Sequence, residues 1–208
     1  MSAPIENMKQ KKAIELNLLC SSQWPDCVTI SNSEIFTLMN KMKTPPKMSS
    51  SDVTKTDMSE KSNDSSDISA MNEMKDGYMI LVDVRSQEER DVSVMPGSIT
   101  SQEFEILIKN DTEKYKKSLI VTYCTIGFRS GKYGTNLMKA GFENVRNGEG
   151  IVLSTYVLEN LVISKEGVEV PSNIVHTFGC DWDLASDKYE TVQFGMLNYI
   201  KKGIAALL

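Results

Sequence analysis

The sequence predicts an α/β fold, a mostly parallel sheet with helices on both faces. Residues 79–84 and 119–123 are nearly continuous apolar, β-branched runs, the pattern of strands buried on both faces. Segments with apolar residues at intervals of three and four follow such runs. Strands that alternate with helices along a chain favour parallel pairing. The 208 residues, 40% of them hydrophobic, suffice for one ordinary domain with some chain left over.

Each element has its own signal. Met8, Ile14, Leu16, Leu18 and Leu19 stand among lysines and glutamates, which predicts an amphipathic helix within an N-terminal segment 1–22. Residues 27–30 form a short strand candidate. Ser31 and Glu34 fit a capping box opening a helix with Ile35, Leu38 and Met39 on its apolar face. Residues 44–76 are rich in Ser, Asp, Lys and Met without an aromatic residue, so they predict a disordered insert. That insert is read either as a tolerated spacer or as a phosphorylated regulatory loop.

The 79–84 strand follows, then a second capping box at Ser86 and Glu89 and a turn at Met95-Pro96-Gly97-Ser98. A short strand at 99–100 precedes a helix over 101–108. The 119–123 strand leads into a helix over 130–140, which Gly141 ends. Val145 marks a brief strand, and 150–161 reads as a helix. Tyr189, Val192, Met196, Ile200, Ile204 and Leu207 predict a long C-terminal helix from residue 186 onward. The expected organisation is the N-terminal helix, a domain over 23–160 interrupted by the insert, and an extension over 161–208.

Composition narrows the function. A net charge of −5 and the lack of any Lys/Arg block argue against a nucleic-acid partner. No stretch approaches the ~20 apolar residues of a membrane span. No arginine precedes Arg85 and no signal-like apolar core opens the chain, so a cytoplasmic location is expected. The four cysteines, Cys20, Cys27, Cys124 and Cys180, form no Cys-x-x-Cys pair, and His176 is the single histidine. Neither a metal site nor a cofactor is expected.

The chemistry centres on Cys124. It ends an apolar strand, a tight loop of Thr125, Ile126, Gly127 and Phe128 follows, and Arg129 stands at the mouth of a helix. Loop amides converging at a helix N-terminus favour an anion. A nearby guanidinium adds a permanent cation. Together they should lower the Cys124 pKa and hold a thiolate. Two plainer readings stay open: Cys124 as a small core residue, and Arg129 paired with a surface carboxylate.

The segments LVDVRSQEERDVSVMPGSIT and VTYCTIGFRSG resemble the rhodanese family of sulfurtransferases. The resemblance spans residues 26 to about 150. It implies a five-stranded parallel sheet flanked by helices, with Cys124 forming a persulfide. Sulfur would come from a small anionic donor such as thiosulfate and pass to cyanide or a thiol, with a protein acceptor left open. Thr125, Ile126, Gly127, Phe128 and Arg129 would hold the persulfide and donor, and Asp83 and Arg85 would buttress the loop. Dual-specificity phosphatases share the fold but place five residues between Cys and Arg. Here four intervene, which favours sulfur over phosphoryl transfer. A non-catalytic binding module on the same fold is the other alternative. The chain departs from the family pattern at Thr125, where many members carry arginine, and at Val94-Met95, where a histidine often precedes the turn.

Overall fold

A computed structural model describes residues 3–41, 78–165, 168–179 and 182–194. The 44–76 insert, Cys180 and residues 195–208 of the expected C-terminal helix lie outside the described residues. The chain opens with α1 (Ala3–Ser21), β1 (Thr29–Ile30) and α2 (Asn32–Met39). There follow β2 (Met79–Asp83), α3 (Gln87–Val92), β3 (Ile99–Thr100), α4 (Ser101–Asn110) and α5 (Thr112–Lys116). Next come β4 (Leu119–Tyr123), α6 (Phe128–Lys139), β5 (Val145–Gly148) and α7 (Ile151–Ser154). The last strands are β6 (Leu161–Lys165), β7 (Val168–Ser172), β8 (Ile174–His176) and β9 (Glu190–Val192).

The main sheet has five strands in the order β1-β5-β4-β2-β3, all parallel. β2 and β4 pair along their full length, from Met79 opposite Leu119 to Asp83 opposite Tyr123. All five β2 residues are buried, as its apolar run requires. Period-two alternation divides them between two cores. Met79 and Leu81 face Ile35, Met95, Val121 and Ile151, whereas Ile80 and Val82 face Phe104, Tyr115, Leu137 and Phe142. Each such fully buried side chain contributes roughly 1.5–3 kcal/mol. A third cluster joins Ala13 and Cys20 of α1 to Ile126, Val152, Leu153 and Leu184 at the carboxyl ends of the strands.

Three capping boxes start helices here: Ser31 with Glu34, Ser86 with Glu89, and Thr100 with Glu103. The structure departs from expectation after β5. The helix expected over 150–161 stops after Ser154. Ser154 and Thr155 hydroxyls donate to the carbonyls of Ile151 and Val152 at 2.7 and 2.6 Å, a local bonding that competes with helix continuation. The β-branched residues beyond then pair as an antiparallel β6–β7 hairpin. The helix expected from residue 186 does not begin there either. Glu190–Val192 pair in parallel with β8, because backbone pairing outweighs the helical spacing of Tyr189 and Val192.

Candidate active site

Cys124 follows β4, the central strand, at the carboxyl end of the sheet, where open α/β folds bind ligands. It is 2% exposed. Gly127 takes φ +97°, a conformation natural to glycine, and this turn aims its amide at the sulfur. The Gly127 N–H donates to Cys124 Sγ at 3.2 Å. The Ser130 hydroxyl lies 3.5 Å from Sγ but only 2.7 Å from Asn147 Oδ1, and its single proton serves one of them at a time. Burial pushes the thiol pKa up. Arg129, the Ser130 hydroxyl and the amides of Ser130 and Ile126 more than offset burial, so the net shift is downward.

The loop is braced from three sides. Asn17 of α1 donates through Nδ2 to the carbonyls of Ile126 and Glu149 at 3.1 and 3.0 Å. Asn147 of β5 donates through Nδ2 to the Gly127 carbonyl at 2.9 Å. The amides of Ile151 and Val152 donate to the Cys124 and Thr125 carbonyls at 2.9 and 3.2 Å. Gly150 permits that approach: at φ +102°, a Cβ there would lie 2.5 Å from the Thr125 carbonyl oxygen.

Arg129 is placed differently from expectation. Its fork is taken by Glu89, with Nη1 donating to Oε2 at 2.8 Å and Nη2 to Oε1 at 2.7 Å. The partner is a carboxylate with 0% side-chain exposure rather than one on the surface. Glu89 also caps α3 by accepting from the Ser86 amide at 3.0 Å. His176 Nδ1 stands 3.4 Å from Glu89 Oε1, and Thr125 donates to the same oxygen at 3.5 Å. Burial raises the Glu89 pKa, but Arg129 and His176 outweigh it and hold the carboxyl well below the usual range. Phe178 packs on the guanidinium at 4.8 Å and meets His176 edge-on, and Phe194 stacks on His176 at 4.4 Å.

Asp83 and Arg85 stand one step behind the loop. Arg85 donates to Asp83 through Nε at 3.0 Å and through Nη2 at 2.7 Å. Tyr123, which precedes Cys124, donates to Asp83 Oδ2 at 2.7 Å. Arg85 also reaches the Ser93 carbonyl at 2.7 Å and the Glu89 carbonyl at 3.4 Å. The pair thus braces Tyr123 and α3. Of the expected site residues, Thr125, Gly127 and Arg129 meet at Cys124 or Glu89, and Ile126 turns its side chain into the α1 cluster. Phe128 packs edge-on to Trp24, away from the sulfur.

Residues 67–150 match the family model described as the rhodanese-like domain. That stretch of the chain is rhodanese-like. The five-stranded parallel sheet with its flanking helices is the fold that the resemblance implied. The domain's curated relatives include proteins named tRNA uridine(34) hydroxylase. One from Staphylococcus carnosus (strain TM300) is 34% identical over 82 residues, covering 37% of this chain and 26% of that protein. One from Acinetobacter baumannii (strain AYE) is 26% identical over 130 residues, covering 53% of this chain and 41% of that protein. The chain therefore spans well under half the length of these relatives. Both relatives are named as enzymes.

The comparison overturns one expectation. Composition argued against a nucleic-acid partner, whereas these relatives are named for tRNA. A net charge of −5 is a sum over the whole chain and does not report a local face. Among the described residues, no helix is long and apolar enough to cross a membrane.

Glu89, His176, Asn147 and Asn17 escaped sequence reasoning. Glu89 was visible only as a cap, and the other three reach the site from elements far away in the chain.

Proposed function

We propose that the protein is a sulfurtransferase working through a Cys124 persulfide. The observation that carries this reading is the convergence of the Gly127 amide on Sγ at 3.2 Å beside Arg129. Such a cradle stabilises a thiolate and, one bond further out, the terminal sulfur of a persulfide anion. Cys124 would be the nucleophile, with Thr125, Gly127 and Arg129 around the sulfur, Ile126 and Phe128 contributing to the loop through their backbone, and Asp83 and Arg85 bracing it. The thiolate attacks the outer sulfur of a sulfane-sulfur donor, and an acceptor thiol or cyanide then removes that sulfur and restores Cys124. No general base is needed once the thiolate is formed. A cytoplasmic setting belongs to this reading, in keeping with the free thiols of Cys20, Cys27 and Cys124.

Phosphoryl transfer fits less well, because a phosphoryl group needs the arginine fork that Glu89 occupies. The second reading is action on a tRNA base, favoured by similarity to the tRNA uridine(34) hydroxylases.

Mass spectrometry after exposure to a sulfane-sulfur donor separates the two. Sulfur transfer expects an adduct of about +32 Da on Cys124, one sulfur atom, and none in Cys124→Ser. Cyanide should then release thiocyanate. Hydroxylated uridine in tRNA, formed by the wild type without any persulfide and lost in Cys124→Ser, would replace sulfur transfer with the relatives' reaction.

A further inference from the structure

We infer that Glu89 sets the charge of the sulfur donor: by occupying the Arg129 fork, it fits the site to neutral or singly charged sulfane-sulfur donors, such as organic persulfides and thiosulfonates, rather than to dianionic thiosulfate. This rests on the sulfur-transfer reading.

The argument is a charge balance in a dry place. Arg129 is the cation beside Cys124, and each of its terminal nitrogens gives one N–H to Glu89. Its Nη2 also donates to Thr125 Oγ1 at 3.2 Å, so Thr125 uses up donor capacity and brings no charge. Thr125, Ile126, Gly127 and Phe128 are all uncharged. In the adjoining network Arg85 and Arg90 meet Asp83 at 2.7 and 3.2 Å. Arg85, Arg90 and Arg129 therefore face Asp83, Glu89 and the Cys124 thiolate, three cations to three anions. By this count of arginines and acids, no arginine of the network is left over, so each negative charge on the donor adds to the cost of bringing it beside the thiolate, and two cost more than one. Glu89 has 0% side-chain exposure, so water screens its charge poorly. The loop amide of Gly127 is already engaged by the sulfur.

The transfer balances without any further reactant. With a thiosulfonate, the Cys124 thiolate attacks the terminal sulfur and a new S–S bond forms at Sγ. The bond between that sulfur and the sulfonyl sulfur breaks, and its electron pair leaves as a sulfinate. Two negative charges enter and two leave. With an organic persulfide the leaving group is the thiolate, and the proton stays on the transferred sulfur.

Methanethiosulfonate and thiosulfate make the test, carrying one and two charges on similar leaving groups. The rate of persulfide formation on the full chain is measured with each and divided by that donor's rate with a free small thiol. The wild type should favour methanethiosulfonate by about a hundredfold at low salt, and added salt should narrow the ratio. Glu89→Gln removes the counter-charge on Arg129 and should cut the ratio by about tenfold or more. A merely structural role for Glu89 would slow both donors alike. A wild-type ratio near one, or a ratio unmoved by Glu89→Gln, overturns the inference. Should that variant not fold, the wild-type ratio and its salt dependence decide alone. Failure to load from either donor overturns the sulfur-transfer reading itself, and this inference with it.

Discussion

Asp83 and Glu89 are both buried carboxylates held by arginines, and they flank the same strand end. Their surroundings differ. Asp83 receives Arg85, Arg90 and the Tyr123 hydroxyl, and neither Asp83 nor Arg85 has any exposed side-chain surface. Glu89 receives Arg129, which keeps 19% side-chain exposure and lies beside the thiolate. The first cluster is closed on itself and ties β2, β4 and the 93–98 segment together. The second shares its arginine with a reactive sulfur. Identical chemistry thus serves scaffold or site according to what the arginine touches besides its carboxylate.

The sharpest way to break this comparison is at the closed cluster. Asp83→Ala leaves Arg85 and Arg90 buried without their counter-charge and removes the shortest of the Tyr123 hydroxyl's hydrogen bonds, leaving it Ser98 and the Met95 amide. Removing one partner of a buried pair typically costs about 3–5 kcal/mol. Urea denaturation should show a midpoint shift of that size. A loss below about 1 kcal/mol would show that Asp83 is not the scaffold partner described here.

The next test strikes the loop's packing and leaves the charges alone. Gly150→Ala puts a methyl 2.5 Å from the Thr125 carbonyl at φ +102°. Strain and overpacking together predict a loss of about 2–4 kcal/mol. The loop must shift to relieve the clash, so persulfide formation should fall further than the loss of folded protein explains. Asn147→Ala is milder. It removes the bond to the Gly127 carbonyl and the Ser130 hydroxyl's better acceptor. About 1–2 kcal/mol of stability should go. The Ser130 proton, released from Asn147, then has Cys124 as its remaining partner, and the thiol pKa should not rise.

The sequence shows one of these regions better than the other, for a physical reason. The Cys124 loop is local: strand, Gly127 and Arg129 lie within six positions of one another. Their placement follows from types and spacing. Glu89 and His176 act through space, from a helix cap and a small separate sheet. A capping glutamate satisfies its local pattern completely, so nothing in that pattern advertises a second task. The α2 and α3 caps were legible because the capping box is itself a short-range device. β9 was misread because Tyr189 and Val192 carry a helical interval that a neighbouring strand overrides. Net charge failed as a guide to nucleic acid because it averages over faces.

The smallest effect, pH dependence, still distinguishes the Glu89 carboxyl from the thiol. The Cys124 pKa lies below its ordinary 9.0 in the folded chain. Its thiolate therefore stabilises the fold fully above that ordinary value, and the contribution is lost as pH falls through the folded value. The stability difference between wild type and Cys124→Ser should grow as pH rises towards 9 and level off beyond it. Glu89, also lowered from its ordinary 4.5, contributes fully above that value, and its share is lost only as pH falls further. Persulfide formation should rise with the thiolate fraction, with its inflection below 9. An inflection at or above 9 would mean that the loop amides and Arg129 do not overcome burial, and the cradle would lose its chemical purpose.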